Sequence, residues 1–140
     1  KEPIHMEGSG VAHMLTTAFL CAAIAVYYEA RNQPPDGQRQ VVHVINNRMY
    51  HSGFPNDVCA VVKQRHQFSF YWDGKPERPR DKVAWEAAKT AVEEAYDAPY
   101  ENLGATHYHA TYVQPYWSKS PNFVRLAQIG DHIFYVEEER

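Results

Sequence analysis

Apolar positions fall into runs whose spacing predicts mostly helix, then strand. From about Val11 to Ala30 they recur at helical spacing, with Leu15, Ala18, Phe19, Ala22, Ala25 and Val26 on one stripe. Asn32-Gln33-Pro34-Pro35-Asp36 ends this helix, because each proline disfavours helical backbone in the residue before it. A second helix is predicted from about Pro35 to Tyr50, its proline tolerated in the first turn. Val41, Val44, Ile45 and Arg48 share one of its faces. The turn His51 to Asp57 can cap a short helix, Val58 to Gln64. Arg65 to Arg80 mixes Gly, Pro and aromatics and reads as a long loop. A further helix runs from about Asp81 to Tyr96, with Ala84, Ala87 or Ala88, Ala91, Val92 and Ala95 as its packing stripe. Thr106 to Val113 alternates, and Asp131 to Glu137 contains His-Ile-Phe-Tyr-Val; both predict short strands. The fold class is therefore α+β, mainly helical, with a small antiparallel sheet near the C-terminus.

The chain has 140 residues, enough for one core. Residues 1–10 read as a flexible lead-in and 11–140 as a single domain. Net charge is −3 and no basic patch stands out, so nucleic acid is not an expected partner. The longest apolar run, Ala18 to Tyr28, is too short for a membrane span, and no membrane anchor is expected. No signal peptide is visible at the N-terminus. Cys21 and Cys59 do not make a disulfide framework; two buried free thiols are expected, with a single bridge as the alternative. A monomer is expected.

One residue breaks the pattern. The next member of the first helix's apolar stripe is Glu29. A carboxylate there is expected to be desolvated, which favours its neutral form. The partial negative charge of a helix C-terminus pushes the same way. A carboxylic acid kept protonated near neutral pH is what a glycosidase needs to protonate a leaving oxygen. From pattern alone, a structural ion pair with Arg31, Arg48 or a terminal lysine explains Glu29 equally well.

The ordered motifs around it decide the expectation. Tyr27-Tyr28-Glu29-Ala30-Arg31, then Pro34, Gly37-Gln38, Val41-Val42 and Asn47-Arg48, resembles the opening of the SleB-like cell wall hydrolases. The resemblance continues through Phe54 to Val62, Gln67-Phe68-Ser69-Phe70, His107 to Val113, Pro115-Tyr116-Trp117 and Ile129 to Tyr135. It implies a lysozyme-like, lytic transglycosylase-like fold and bacterial peptidoglycan as partner. With no signal peptide visible, it suits a phage enzyme released by a holin or a wall-remodelling domain trimmed of its leader. It also implies cleavage between N-acetylmuramic acid and N-acetylglucosamine, with Glu29 as the catalytic acid. Gln67, Phe68 and Ser69 are similar to the segment lining the cleft opposite that glutamate. There are departures. The family usually has a second acid where this chain has Gln33. Many relatives have Cys where this chain has His66, so a bridge from Cys59 to that position is not available. Phe70 stands where relatives often carry Trp.

With a single convincing acid, a lytic transglycosylase reaction is expected, with muramidase-type hydrolysis of the same bond as the alternative. Asp36 and Asp73 read as turn or capping residues. On the Thr106–Val113 strand, His107, His109 and Thr111 face one side and Tyr108, Ala110 and Tyr112 the other. The histidine face is expected to line the cleft, with Tyr112 and Trp117 as stacking surfaces. The eight histidines also allow a zinc amidase or peptidase, with His107 and His109 as two ligands and His43, His66 or an Asp as a third. That reading lacks an H-E-x-x-H, and no metal or other cofactor is expected. A non-enzymatic wall-binding module is the third class.

Overall fold

The computed structural model describes residues 16–64 and 79–138. The helices are α1 (Thr17–Ala30), α2 (Pro35–Tyr50), α3 (Val58–Lys63) and α4 (Lys82–Asp97). Local chemistry starts three of them. Thr16, Asp57 and Asp81 each accept a hydrogen bond from the backbone N–H three residues on. Thr16 has extended backbone and caps the helix that runs from Thr17 to Ala30; residues 11–15 of the expected helix lie outside the described residues. α2 matches the expected bounds, with prolines just before and at its first residue.

α1 is the central element, and α2, α3 and α4 pack around it. Every residue from Cys21 to Tyr27 is buried, so no face of its middle turns meets solvent. Such a helix is apolar all round because it is enclosed all round. Cys21 and Cys59 are joined in a disulfide, which corrects the expectation of free thiols. Val58, Val61 and Val62 press α3 onto α1 and bring the two Cα atoms to 5.3 Å, within bridging range.

A three-stranded antiparallel sheet closes the domain: β1 (His107–Ala110), β2 (Phe123–Ile129) and β3 (His132–Glu137), in the order β1-β3-β2. β1 is shorter than Thr106–Val113, because Thr111 N–H donates to Asp131 and Val113 N–H turns back to Ala110. β2 is an element beyond the two strands expected. It is joined to β3 by the two-residue loop Gly130-Asp131, with positive φ at Gly130, as tight hairpins require. A bulge between Arg125 and Ala127 interrupts its alternation.

The register places Tyr108 opposite Phe134 and Ala110 opposite His132. Tyr108 and Phe134 enter the helical core, so their face is the inner one. Arg48, on α2, anchors the sheet: its Nε donates to Thr106 O at 2.7 Å. Asn47 Nδ2 donates to Ala105 O at 2.7 Å. Most of the expected long loop, residues 65–78, lies outside the described residues.

Candidate active site

Glu29 stands in the last turn of α1, where the enclosed helix emerges. Its side chain is half-buried, and its Oε1 is shielded from solvent. The one-stripe reading of α1 needs correction: apolar phase cannot single out Glu29 on a helix buried all round. Its position at the emergent end is the informative feature. The neighbouring side chains hold that end rigidly. Tyr27 is buried, its hydroxyl accepts Asp81 N–H at 3.1 Å, and the Arg31 guanidinium lies 4.8 Å above its ring. Buried Gln38 donates to Gln33 O at 3.1 Å, fixing the turn after the helix.

Gln33, read from the sequence only as a missing acid, has a structural task. Its Oε1 accepts Asp131 N–H at 2.8 Å and its Nε2 donates to Asp131 Oδ2 at 3.3 Å. The β2–β3 hairpin tip is thereby latched onto the turn that follows Glu29. Thr111 joins the same junction through Asp131 O at 2.8 Å. The signal was present as a tight Gly130-Asp131 turn, but its partner lies far away in sequence.

The expected binding residues divide. Gln67, Phe68 and Ser69 lie outside the described residues. His107 and His109 occupy the outer face of β1, turned away from the helices. There they form an aromatic layer with Trp117, whose ring centroid lies 5.3 Å from His107 and 5.7 Å from His109. Phe123 and Tyr135 complete it. Trp117 is thus a packing residue of this layer. His109 is oriented from both sides: Nδ1 lies 2.8 Å from Ala110 O and Nε2 lies 3.0 Å from Tyr135 Oη. A carbonyl only accepts, so Nδ1 carries the proton and Nε2 accepts from the tyrosine. His107 Nδ1 lies 3.0 Å from Thr106 Oγ1. Beside His109 opens a polar cavity of about 420 Å³ that Thr111, Gln114, Ser118 and Arg125 also line. Tyr112 is 84% exposed and Tyr116 91%, so two aromatic rings stand out from the surface on the segment that follows β1. The inner face carries buried His132, its ring 5.0 Å from Tyr108.

Asp36 accepts from Gly37 N–H at the start of α2, as a helix-end residue does. Among the described residues no group of three His, Cys, Asp or Glu is placed to hold a metal. His109, one of the two strand ligands a zinc site would need, has both nitrogens engaged.

The arrangement is an enclosed helix delivering one shielded carboxyl, beside a latched β-hairpin. A family model for cell wall hydrolases matches residues 32–135. The chain belongs to that cell wall hydrolase family. Glu29 stands just before the matched stretch. Spore cortex-lytic enzymes from Halalkalibacterium halodurans and Bacillus subtilis are 34% and 33% identical, each over 115 residues and 80% of this chain. This chain spans only about a third of their length, 32% and 35% respectively. Among solved structures, the catalytic domain of the germination-specific lytic transglycosylase SleB from Bacillus anthracis aligns with a TM-score of 0.68 at 29% identity. The alignment covers 84% of this chain and 93% of that one. The catalytic domain of Bacillus cereus SleB aligns with a TM-score of 0.66 at 30% identity, covering 84% and 88%. The mainly helical fold with a small C-terminal sheet is therefore that of the SleB catalytic domain.

Proposed function

We propose that this domain cuts the glycan strands of bacterial peptidoglycan between N-acetylmuramic acid and N-acetylglucosamine, as a lytic transglycosylase with Glu29 as its one catalytic carboxyl. The observation that carries this reading is Glu29 itself, half-buried in the last turn of an otherwise enclosed helix, with Oε1 shielded from water. A shielded carboxyl is better held as the neutral acid, ready to donate. Glu29 gives its proton to the glycosidic oxygen, and the bond from that oxygen to the muramic acid C1 breaks. The muramic acid acetamide, or the polarity of the site, stabilises the oxocarbenium-like centre. The Glu29 carboxylate then takes the proton of the muramic acid 6-hydroxyl as O6 closes onto C1. A 1,6-anhydro end forms, Glu29 is restored, and no water is consumed.

Hydrolysis of the same bond would call for a second carboxylate. Among the described residues, Asp36 is occupied at the start of α2 and Asp131 is bound by Gln33, which supports the single-acid route; Asp73 lies outside the described residues. Gln67, Phe68 and Ser69 are proposed to line the opposite cleft wall, and Tyr112 to stack on a sugar ring. The disulfide suits action outside the reducing cytoplasm, at the wall or in the periplasm, in lysis or wall remodelling. Mass spectrometry of digested peptidoglycan tests the proposal. Anhydro-muramic acid ends are expected from the wild type and not from Glu29→Gln. Water-added reducing ends alone would overturn the transglycosylase reading.

A further inference from the structure

A cavity of about 330 Å³ opens between α2 and α4. Neither Glu29 nor any sheet residue lines it. Its size is within the range of small-ligand sites. Val42 and Ala95 give it apolar walls. Two of its lining residues, His43 and Asn46, each carry a polar atom shut off from solvent, Nε2 and Oδ1, and neither atom has a hydrogen-bond partner among the described residues. His43 as a whole is only 4% exposed. The two residues are three apart on α2, so their side chains lie side by side on one face. Tyr96 brings a phenol to the same space, and Tyr50, 45% exposed, stands at its mouth.

Buried polar atoms are nearly always satisfied, and each unsatisfied one calls for a partner. Here the partner must suit an amide oxygen, which accepts, and an imidazole nitrogen, which either donates or accepts. An anion would need a charged imidazole, and burial lowers the pKa of His43 and keeps it neutral. Burial likewise pushes the Tyr96 phenol up to about 12, so it too stays neutral. A cation would give up its hydration for neutral acceptors only. A purely apolar ligand would leave both atoms unpaired. What fits is a neutral group with a donor and an acceptor side by side, attached to a small apolar body. A secondary amide has this chemistry: once the two side chains turn toward the cavity, its N–H meets Asn46 Oδ1, its C=O accepts the proton of His43 Nε2, and its methyl lies on Val42 and Ala95.

We propose that the α2–α4 cavity is a binding site for a secondary amide, apart from Glu29, through which the domain holds its substrate polymer at a second point. The assignment of that polymer rests on the reading of the domain as a peptidoglycan-cleaving enzyme. Peptidoglycan carries such amides in two places, the acetamides of its sugars and the backbone of its stem peptides.

The experiment is an NMR titration of the full Glu29→Gln chain, which is expected to leave glycan uncut. It follows the side-chain resonances of His43 and Tyr96. The probes are tri-N-acetylchitotriose, N-acetyl-alanyl-alanine methylamide, and maltotriose, which has no amide. Saturable shifts with the chitotriose point to the glycan as source, and shifts with the peptide point to the stem. Asn46→Leu and His43→Phe, each checked for native circular dichroism, are expected to weaken binding at least tenfold. Asn46 is only half-buried, so its variant serves if His43→Phe fails to fold. No shift with either amide probe would overturn the proposal and leave water as the occupant. Equal shifts with maltotriose, or binding unchanged in Asn46→Leu, would overturn it too. Lysis by Glu29→Gln is read separately, so the catalytic reading and this one can fail independently.

Discussion

Gly130 offers the sharpest test of how the fold holds the Glu29 end of α1. It has φ +57°, and a Cβ built there would collide with Gln33 Oε1 and come within 2.8 Å of Pro34 Cδ. Gly130→Ala therefore has two costs. Positive φ disfavours a side chain by about 1–2 kcal/mol. The collision also displaces Gln33, which makes two hydrogen bonds to Asp131. At about 0.5–1.5 kcal/mol each, these add about 1–3 kcal/mol. The total expected loss is about 2–5 kcal/mol in urea denaturation. Gly104 supplies the control, since it has φ +84° and nothing within 4 Å of an added Cβ. Gly104→Ala should lose only the backbone part, about 1–2 kcal/mol. Equal losses in the two variants would refute the latch, because they would show that the hairpin tip does not bear on Gln33 and Pro34.

Reducing the Cys21–Cys59 bridge, whose cysteines are 38 residues apart, should lower unfolding free energy by about 3–4 kcal/mol, read by urea denaturation with and without reductant. Arg48→Met should cost about 2–4 kcal/mol in the same assay. It leaves Thr106 O without its buried donor and removes the guanidinium 4.7 Å from the Phe54 ring centroid. His43 has a folded pKa below its ordinary 6.5, mainly through burial, so the unfolded chain binds more protons. Its contribution to stability is full above about pH 6.5 and declines as pH falls toward the folded pKa. Thermal melts from pH 7.5 to 5 should show a shallower decline for His43→Phe than for the wild type.

What the sequence makes legible follows from how local its signals are. α2 is bounded by Pro34, Pro35 and the turn at His51, all short-range features, and its limits are read directly. Thr16 is an equally local cap, but the apolar run on both sides of it masks the helix start. β2 is hidden because the bulge after Arg125 breaks its alternation. The disulfide depends on α3 packing against α1, which no spacing reports. Alternation along β1 separates His107 and His109 from Tyr108 and Ala110, but it cannot say which side meets the helices. The structure turns the histidines outward and fills much of their face with Trp117 and Phe123. Glu29 is legible as an anomaly in an apolar helix. That the helix is enclosed on every side, so that only its end matters, needs the tertiary structure.

The central claim rests on one carboxyl, and the most direct measurement is the initial rate of peptidoglycan solubilisation by Glu29→Gln against the wild type. Loss of a general acid removes about 10²–10⁴ of the rate. The expected result is a fall of that order, with circular dichroism and binding to insoluble peptidoglycan unchanged. A folded Glu29→Gln protein that solubilises the wall at the wild-type rate would contradict the account.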